Sequence, residues 1–163
     1  MKIITDTDII SSLAKIDKID LLRAVFPNLE IQIPVGVYEE LEKANELGYD
    51  FPKKIFKATE TISLKDVELK AYKEKMSEER NLDKGELQGI VIAKNRDMKF
   101  LTNDNIARKE AKNNNIKTYN LAEVIRAAYL DGELNKEDVE RLIKDLKQKD
   151  YFSFANERDL YRD

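Results

Sequence analysis

Short apolar runs alternate along the chain with longer segments in which apolar residues recur every three or four positions. This is the pattern of strands separated by amphipathic helices, and it predicts an α/β fold with a mainly parallel central sheet. KIIT (2–5) reads as a first strand, followed by a helical stretch that includes LLRAVF (21–26). EIQI (30–33) reads as a second strand, after which Pro34 opens a helix, PVGVYEELEKANEL, with proline at the tolerated first position. Further strands are expected at ATETISL (58–64), KFLT (99–102) and IKTY (116–119), the last two bounded by polar, Asn-rich turns. Helices are expected at about 65–78, 84–95 and 104–114. Two more, LAEVIRAAYL and KEDVERLIKDLKQ, follow with the turn DGEL between them. In the last helix Val139, Leu142, Ile143 and Leu146 form an apolar stripe that predicts core packing, and the aromatic tail YFSFANERDLY is expected to dock.

Two glutamates interrupt this pattern. At about 100° per residue, Glu86 in LDKGELQGIVIAK projects between Ile90 and Ala93, on the stripe that should face the core. In VYEELEKANEL, Val37, Leu41, Ala44 and Leu47 mark the buried side and Glu40 falls between Ala44 and Leu47. Glu39 lies opposite, with Glu42, Lys43 and Glu46. Glu40 is therefore expected inward and Glu39 in solvent, although Glu is rarely buried without a partner.

Other acids follow predicted strands. Asp6 comes directly after KIIT with Asp8 two residues on, Asp104 comes directly after FLTN, and Asp83 with Glu86 opens the helix before that strand. In open α/β sheets chemistry collects at the carboxyl ends of strands, so these acids map to one edge. Each also has a purely structural explanation: Asp6, Asp8 and Asp104 as helix N-caps, and Asp83 with Glu86 as a capping box. Were the acids to converge, two unit charges about 4 Å apart would cost on the order of 4 kcal/mol at an effective dielectric of 20, so the cluster would need a cation or protons.

Composition narrows which cation. The 163 residues include no Cys and no His, which removes disulfides, thiolate sites and Ser/His or Cys/His triads. Oxygen ligands alone point to Mg²⁺ or Mn²⁺ rather than zinc. A net charge of −3 argues against a broadly basic nucleic-acid coat, while leaving room for a local basic strip. The length suits a single domain over 1–163, closed by a helical stretch over about 131–163. No apolar run reaches bilayer length and the N-terminus does not read as a signal peptide, so a cytoplasmic location is expected.

The segments TDTDIISSLAKIDKIDLLRAVF, IQIPVGVYEEL, LDKGELQGIVIAK and FLTNDNIARKEAKNNNIK, in this order and spacing, resemble the PIN-domain ribonucleases. The likeness is to the prokaryotic branch with an L-D-x-G-E motif, related to VapC-type toxins, and it covers about residues 2–130. It implies a PIN-like three-layer α/β/α sandwich and a Mg²⁺- or Mn²⁺-dependent endoribonuclease. Carried over by motif, Asp6 takes the place of the first-strand Asp, Glu40 that of the helix Glu, and Glu86 the third acidic position with Asp83 as a neighbour or substitute. Asp104 takes the fourth position. Thr7 and Thr102, with Asn103 beside them, match positions that brace the acids or metal-bound waters. Asp8 departs from the pattern, where Asn or Ser is usual, and is either an extra ligand or a cap.

Substrate contact is expected from basic residues near the acidic edge: Arg108, Lys109 and Lys112 after Asp104, and Lys53, Lys54 and Lys57 in FPKKIFK. The resemblance further implies an antitoxin protein or a homodimer as partners. Two other functions stand beside it. IITDTDII also fits the opening of haloacid-dehalogenase-like phosphatases, with Asp6 as nucleophile and Asp8 as general acid, though a late second acidic pair is missing and Glu40 goes unexplained. The other is a PIN-like module that binds RNA or protein without cutting.

Overall fold

The structure, a computed structural model, describes residues 1–79 and 81–163. Five strands form one all-parallel sheet: β1 (Lys2–Thr5), β2 (Glu30–Pro34), β3 (Thr59–Ile62), β4 (Lys99–Leu101) and β5 (Thr118–Tyr119), in the order β3-β2-β1-β4-β5. Among the described residues the helices are α1 (Thr7–Lys15), α2 (Asp20–Val25), α3 (Val35–Glu46), α4 (Phe51–Ala58), α5 (Asp66–Glu78), α6 (Lys84–Asn95), α7 (Asn105–Asn113), α8 (Leu121–Leu130) and α9 (Lys136–Asp150). None of them is long and apolar enough to cross a membrane.

Parallel strands are covered on both faces, and successive side chains alternate between them. Ile3 accordingly packs with Ile31, Ile33 and helices α1, α8 and α9, while Ile4 packs on the opposite face with Phe100, Ile90 and Ile92. The result is the α/β/α layering expected from the sequence. The α9 stripe of Val139, Leu142, Ile143 and Leu146 is buried in the first of these cores, and Phe152, Phe154 and Tyr161 of the tail pack against it. α5 is polar nearly all round; it is tied down by Glu68, whose buried carboxylate meets the Arg96 guanidinium at 2.7 and 2.8 Å.

Several expectations shift. Pro34 ends β2 and caps α3 instead of opening it, and the strand expected at 116–119 shortens to Thr118–Tyr119. Leu47, expected on the buried side of α3, is 79% exposed because the helix ends at Glu46 and Gly48 turns the chain with φ +92°. α4, not foreseen, begins with Pro52 in its first turn and buries Ile55.

The strand order reverses at β1. From there the chain builds outward through β2 and β3 on one side, then through β4 and β5 on the other. Such a reversal leaves a crevice outside the carboxyl ends of the two strands that flank it, here β1 and β4.

Candidate metal and phosphodiester site

Asp6 and Asp104 lie at that crevice. The Asp6 amide donates to the Leu101 carbonyl at 3.0 Å, extending the β1–β4 ladder one residue past the strands. The Asp6 side chain then caps α1, accepting from the Ile9 amide at 3.0 Å. Asp104 caps α7 in the same way, from the Ala107 amide at 2.7 Å. Between them sits the fully buried Thr102, whose hydroxyl accepts from the Asp104 amide at 3.1 Å and hydrogen-bonds the Asp6 carboxylate. Asn103 braces the neighbouring turn, accepting from the Leu121 amide at 2.9 Å.

The remaining acids arrive on α3 and α6. At the start of α6, Asp83 accepts from the Glu86 amide at 2.7 Å and Glu86 reaches back to the Asp83 amide at 3.1 Å, so the capping box forms as its spacing allows. Glu86 is half-buried all the same, and its charge is felt together with those of Asp6, Asp83 and Asp104. Glu40 is half-buried on α3 with the Thr7 hydroxyl bonded to it, while Glu39 is exposed and pairs with Lys84 at 2.9 Å. The α3 and α6 backbones approach so closely that a Cβ on Gly36 would lie 2.8 Å from the Gly85 nitrogen. Gly36→Ala is therefore expected to prise the two acid-bearing helices apart, costing about 1–3 kcal/mol and a few degrees of melting temperature in thermal unfolding.

Burial dominates the electrostatics. It pushes the Asp6 carboxyl up to about 7, against the hydrogen bonds from Thr102 and Ile9, with Asp8 and Asp83 adding repulsion. It pushes Glu86 up to about 7 too, with Asp83, Asp104 and Asp6 adding to the shift. Glu40 and Asp8 are raised for the same first reason. The acids thus share one field, although among the described residues no three carboxylates are already gathered around a common point. Asp83 and Asp104 each spend one oxygen on a helix cap and keep the other for a ligand, while Asp6 keeps only the lone pairs that its cap and Thr102 leave open. An oxygen-only donor set that otherwise takes up protons fits a hard divalent cation.

The other candidate residues divide. Asp8 is exposed in the first turn of α1. Arg108, in the first turn of α7, meets Glu123 at the start of α8 at 3.0 Å, while Lys109 is exposed beside it. Lys112 is in the last turn of α7, away from the acids. Lys53, Lys54 and Lys57 are not brought to the acidic edge: α4 runs down to the amino end of β3, and Lys54 pairs with Asp17, beyond the far end of α1, at 2.6 Å. Local spacing in FPKKIFK carries no direction for α4. Nor does local spacing carry any sign of Asp150, which accepts from Ser12, 138 residues away, and from Lys15 of α1.

A family model described as PIN domain matches residues 2–159. Among solved structures, VapBC-1 from nontypeable Haemophilus influenzae is similar with a TM-score of 0.57 at 14% identity, covering 74% of this chain and 98% of that one. PAE2754 from Pyrobaculum aerophilum is similar with a TM-score of 0.55 at 18% identity, covering 78% and 98%. No curated protein matches the chain significantly. The fold, the four acid-bearing motifs and the match along nearly the whole length agree, and they displace the dehalogenase-like alternative: the chain belongs to the PIN-domain family.

Proposed function

We propose that the protein is an endoribonuclease that hydrolyses RNA phosphodiesters, with Asp6, Glu86 and Asp104 holding Mg²⁺ or Mn²⁺ and Asp83 or Asp8 able to add a ligand. The observation that carries this reading is the pairing of β1 with β4, which sets Asp6 and Asp104 at adjacent strand ends in the switch-point crevice. Bound there, a divalent cation supplies a positioned water of lowered pKa and offsets charge on the phosphodiester.

The chain's own residues do the rest. Thr102 holds Asp6 and the Asp104 backbone in register. Glu40, raised and bonded to Thr7, can accept a proton from a water at the site's margin. Arg108 and Lys109 stand on α7, the helix that Asp104 caps, and would contact the RNA backbone from there. A protein antitoxin and a homodimer belong to the same proposal, from the likeness to VapC-type toxins.

A second reading, a PIN-like module that binds RNA or protein without cutting, draws on the lack of three carboxylates already gathered on one point among the described residues. Incubation with single-stranded RNA and Mn²⁺ separates the two. Internal cleavage products that vanish with a chelator are expected; intact RNA at every Mn²⁺ concentration would favour the binding module.

A further inference from the structure

Beside the acidic edge lies a cleft of about 250 Å³ between α1 and the C-terminal segment. It adjoins the acids directly, since its wall includes Asp8, two residues past Asp6, and Asn103, next to Asp104. Its floor carries Ser11, only 6% exposed, whose hydroxyl alone among the described residues is a buried side-chain oxygen or nitrogen with no hydrogen-bond partner. A buried hydroxyl left unpaired costs about 1–3 kcal/mol, so this one, on a residue of the cleft wall, stands to gain from a partner that reaches it. Asn103 spends its carbonyl on the Leu121 amide, which leaves its NH₂ group to donate. Phe152, the first residue of the tail after Tyr151, presents an aromatic ring braced by Phe154 at 4.9 Å.

The charges say which part of a ligand belongs there. Asp150 accepts from Lys15 at 2.7 Å and from the Ser12 hydroxyl, and Lys15 also acts on Asp8 from farther off, so one cation serves two acids. The cleft is therefore net negative, which disfavours a bare phosphate and favours a neutral group rich in donors. A base and its ribose have that character, a face to stack on the ring and hydroxyls to bond.

We propose that this cleft takes one nucleoside of a single-stranded RNA, flanking the phosphodiester at the acidic edge, with Ser11 and Asn103 bonding its polar groups and Phe152 stacking its base. The assignment rests on the nuclease reading for its placement beside the scissile bond. It also gives the C-terminal segment a part in substrate choice.

The test titrates the full chain, free of divalent ions, with single-stranded RNA tetranucleotides and follows NMR shifts. Resonances of Ser11, Asn103 and Phe152 are expected to move. Phe152→Ala should weaken binding about tenfold, as loss of a stacking platform does. Should that change loosen the tail, Ser11→Ala decides: it should weaken binding severalfold while melting no lower than the unaltered protein, because it removes a hydroxyl with no internal partner. RNA-induced shifts that leave Ser11 and Phe152 unmoved, an unchanged affinity in Ser11→Ala, or cleft shifts that appear only with a protein ligand would each overturn the assignment. Cleft shifts with RNA but no cleavage in Mn²⁺ would leave the assignment standing and remove the nuclease reading instead.

Discussion

Asp104→Asn is expected to lower RNA cleavage by at least about a thousandfold, the equivalent of several kcal/mol of lost transition-state stabilisation, with little change in melting temperature. The substitution is chosen because Asn caps a helix about as well as Asp. The bond from the Ala107 amide, 2.7 Å in the structure, and the α7 start it secures should therefore survive. What disappears is one negative charge and a strong oxygen ligand. The same reasoning covers Asp6→Asn, whose cap on Ile9 is equally replaceable. If these acids do no more than cap helices, both variants should cut RNA as fast as the unaltered protein. Initial rates on a fluorescent RNA at saturating Mn²⁺, alongside thermal melts, distinguish the outcomes.

The second large effect concerns pH. In metal-free protein the Asp6 carboxyl titrates near 7, whereas in the unfolded chain it returns to its ordinary value of 3.8. Between those values the unfolded state loses its proton while the folded state keeps it, so stability falls as pH rises from about 4 to about 7. At 1.36 kcal/mol per pK unit the loss from Asp6 is on the order of 4 kcal/mol, and Glu86, less buried, adds a smaller part. Carboxylates held low by partners, such as Glu68 beside Arg96 and Glu110 beside Lys75, act in the opposite sense only near and below pH 4. The other raised acids, Glu40 and Asp8, act in the same sense, and the chain has no His to oppose them. Chelator-treated protein should thus melt lower at pH 8 than at pH 5, by about 10 °C. Mn²⁺ should restore the difference most strongly at pH 8, because binding to the folded state stabilises it and needs ionised acids. A flat melting profile from pH 5 to 8 would contradict the shared acidic field.

What could be read from the residues divides by range. KIIT followed by Asp6, and KFLT followed two residues later by Asp104, are local patterns, and strand-to-helix turns at those points were legible. The inward lean of Glu40 and the solvent side of Glu39 came from helical period alone, and both positions bear it out. The same period misplaced Leu47, because it says nothing about where a helix stops; Gly48 does. FPKKIFK by itself gives Lys53, Lys54 and Lys57 no direction; as α4 it ends at the amino end of β3, which takes them away from the acids. The pairing of β1 with β4 joins segments almost a hundred residues apart, and the Asp150 contact with α1 spans more. Such contacts are set by topology and packing, with no trace in local spacing.

The Gly36–Gly85 contact belongs to the same class. Two glycines far apart in sequence each look like ordinary helix-start residues, yet together they let α3 and α6 touch backbone to backbone. That contact decides how near Glu40 comes to Asp83 and Glu86. Its loss in Gly36→Ala is expected to weaken divalent-ion binding as well as stability.

The central claim is that acids from β1, β4 and α6 converge to hold a divalent cation. A crystal grown in Mn²⁺ and measured at the manganese absorption edge tests it most directly. An anomalous peak in contact with Asp6, Glu86 and Asp104 is the predicted result; no peak within reach of Asp6 and Asp104, at Mn²⁺ concentrations that saturate binding in solution, would contradict it.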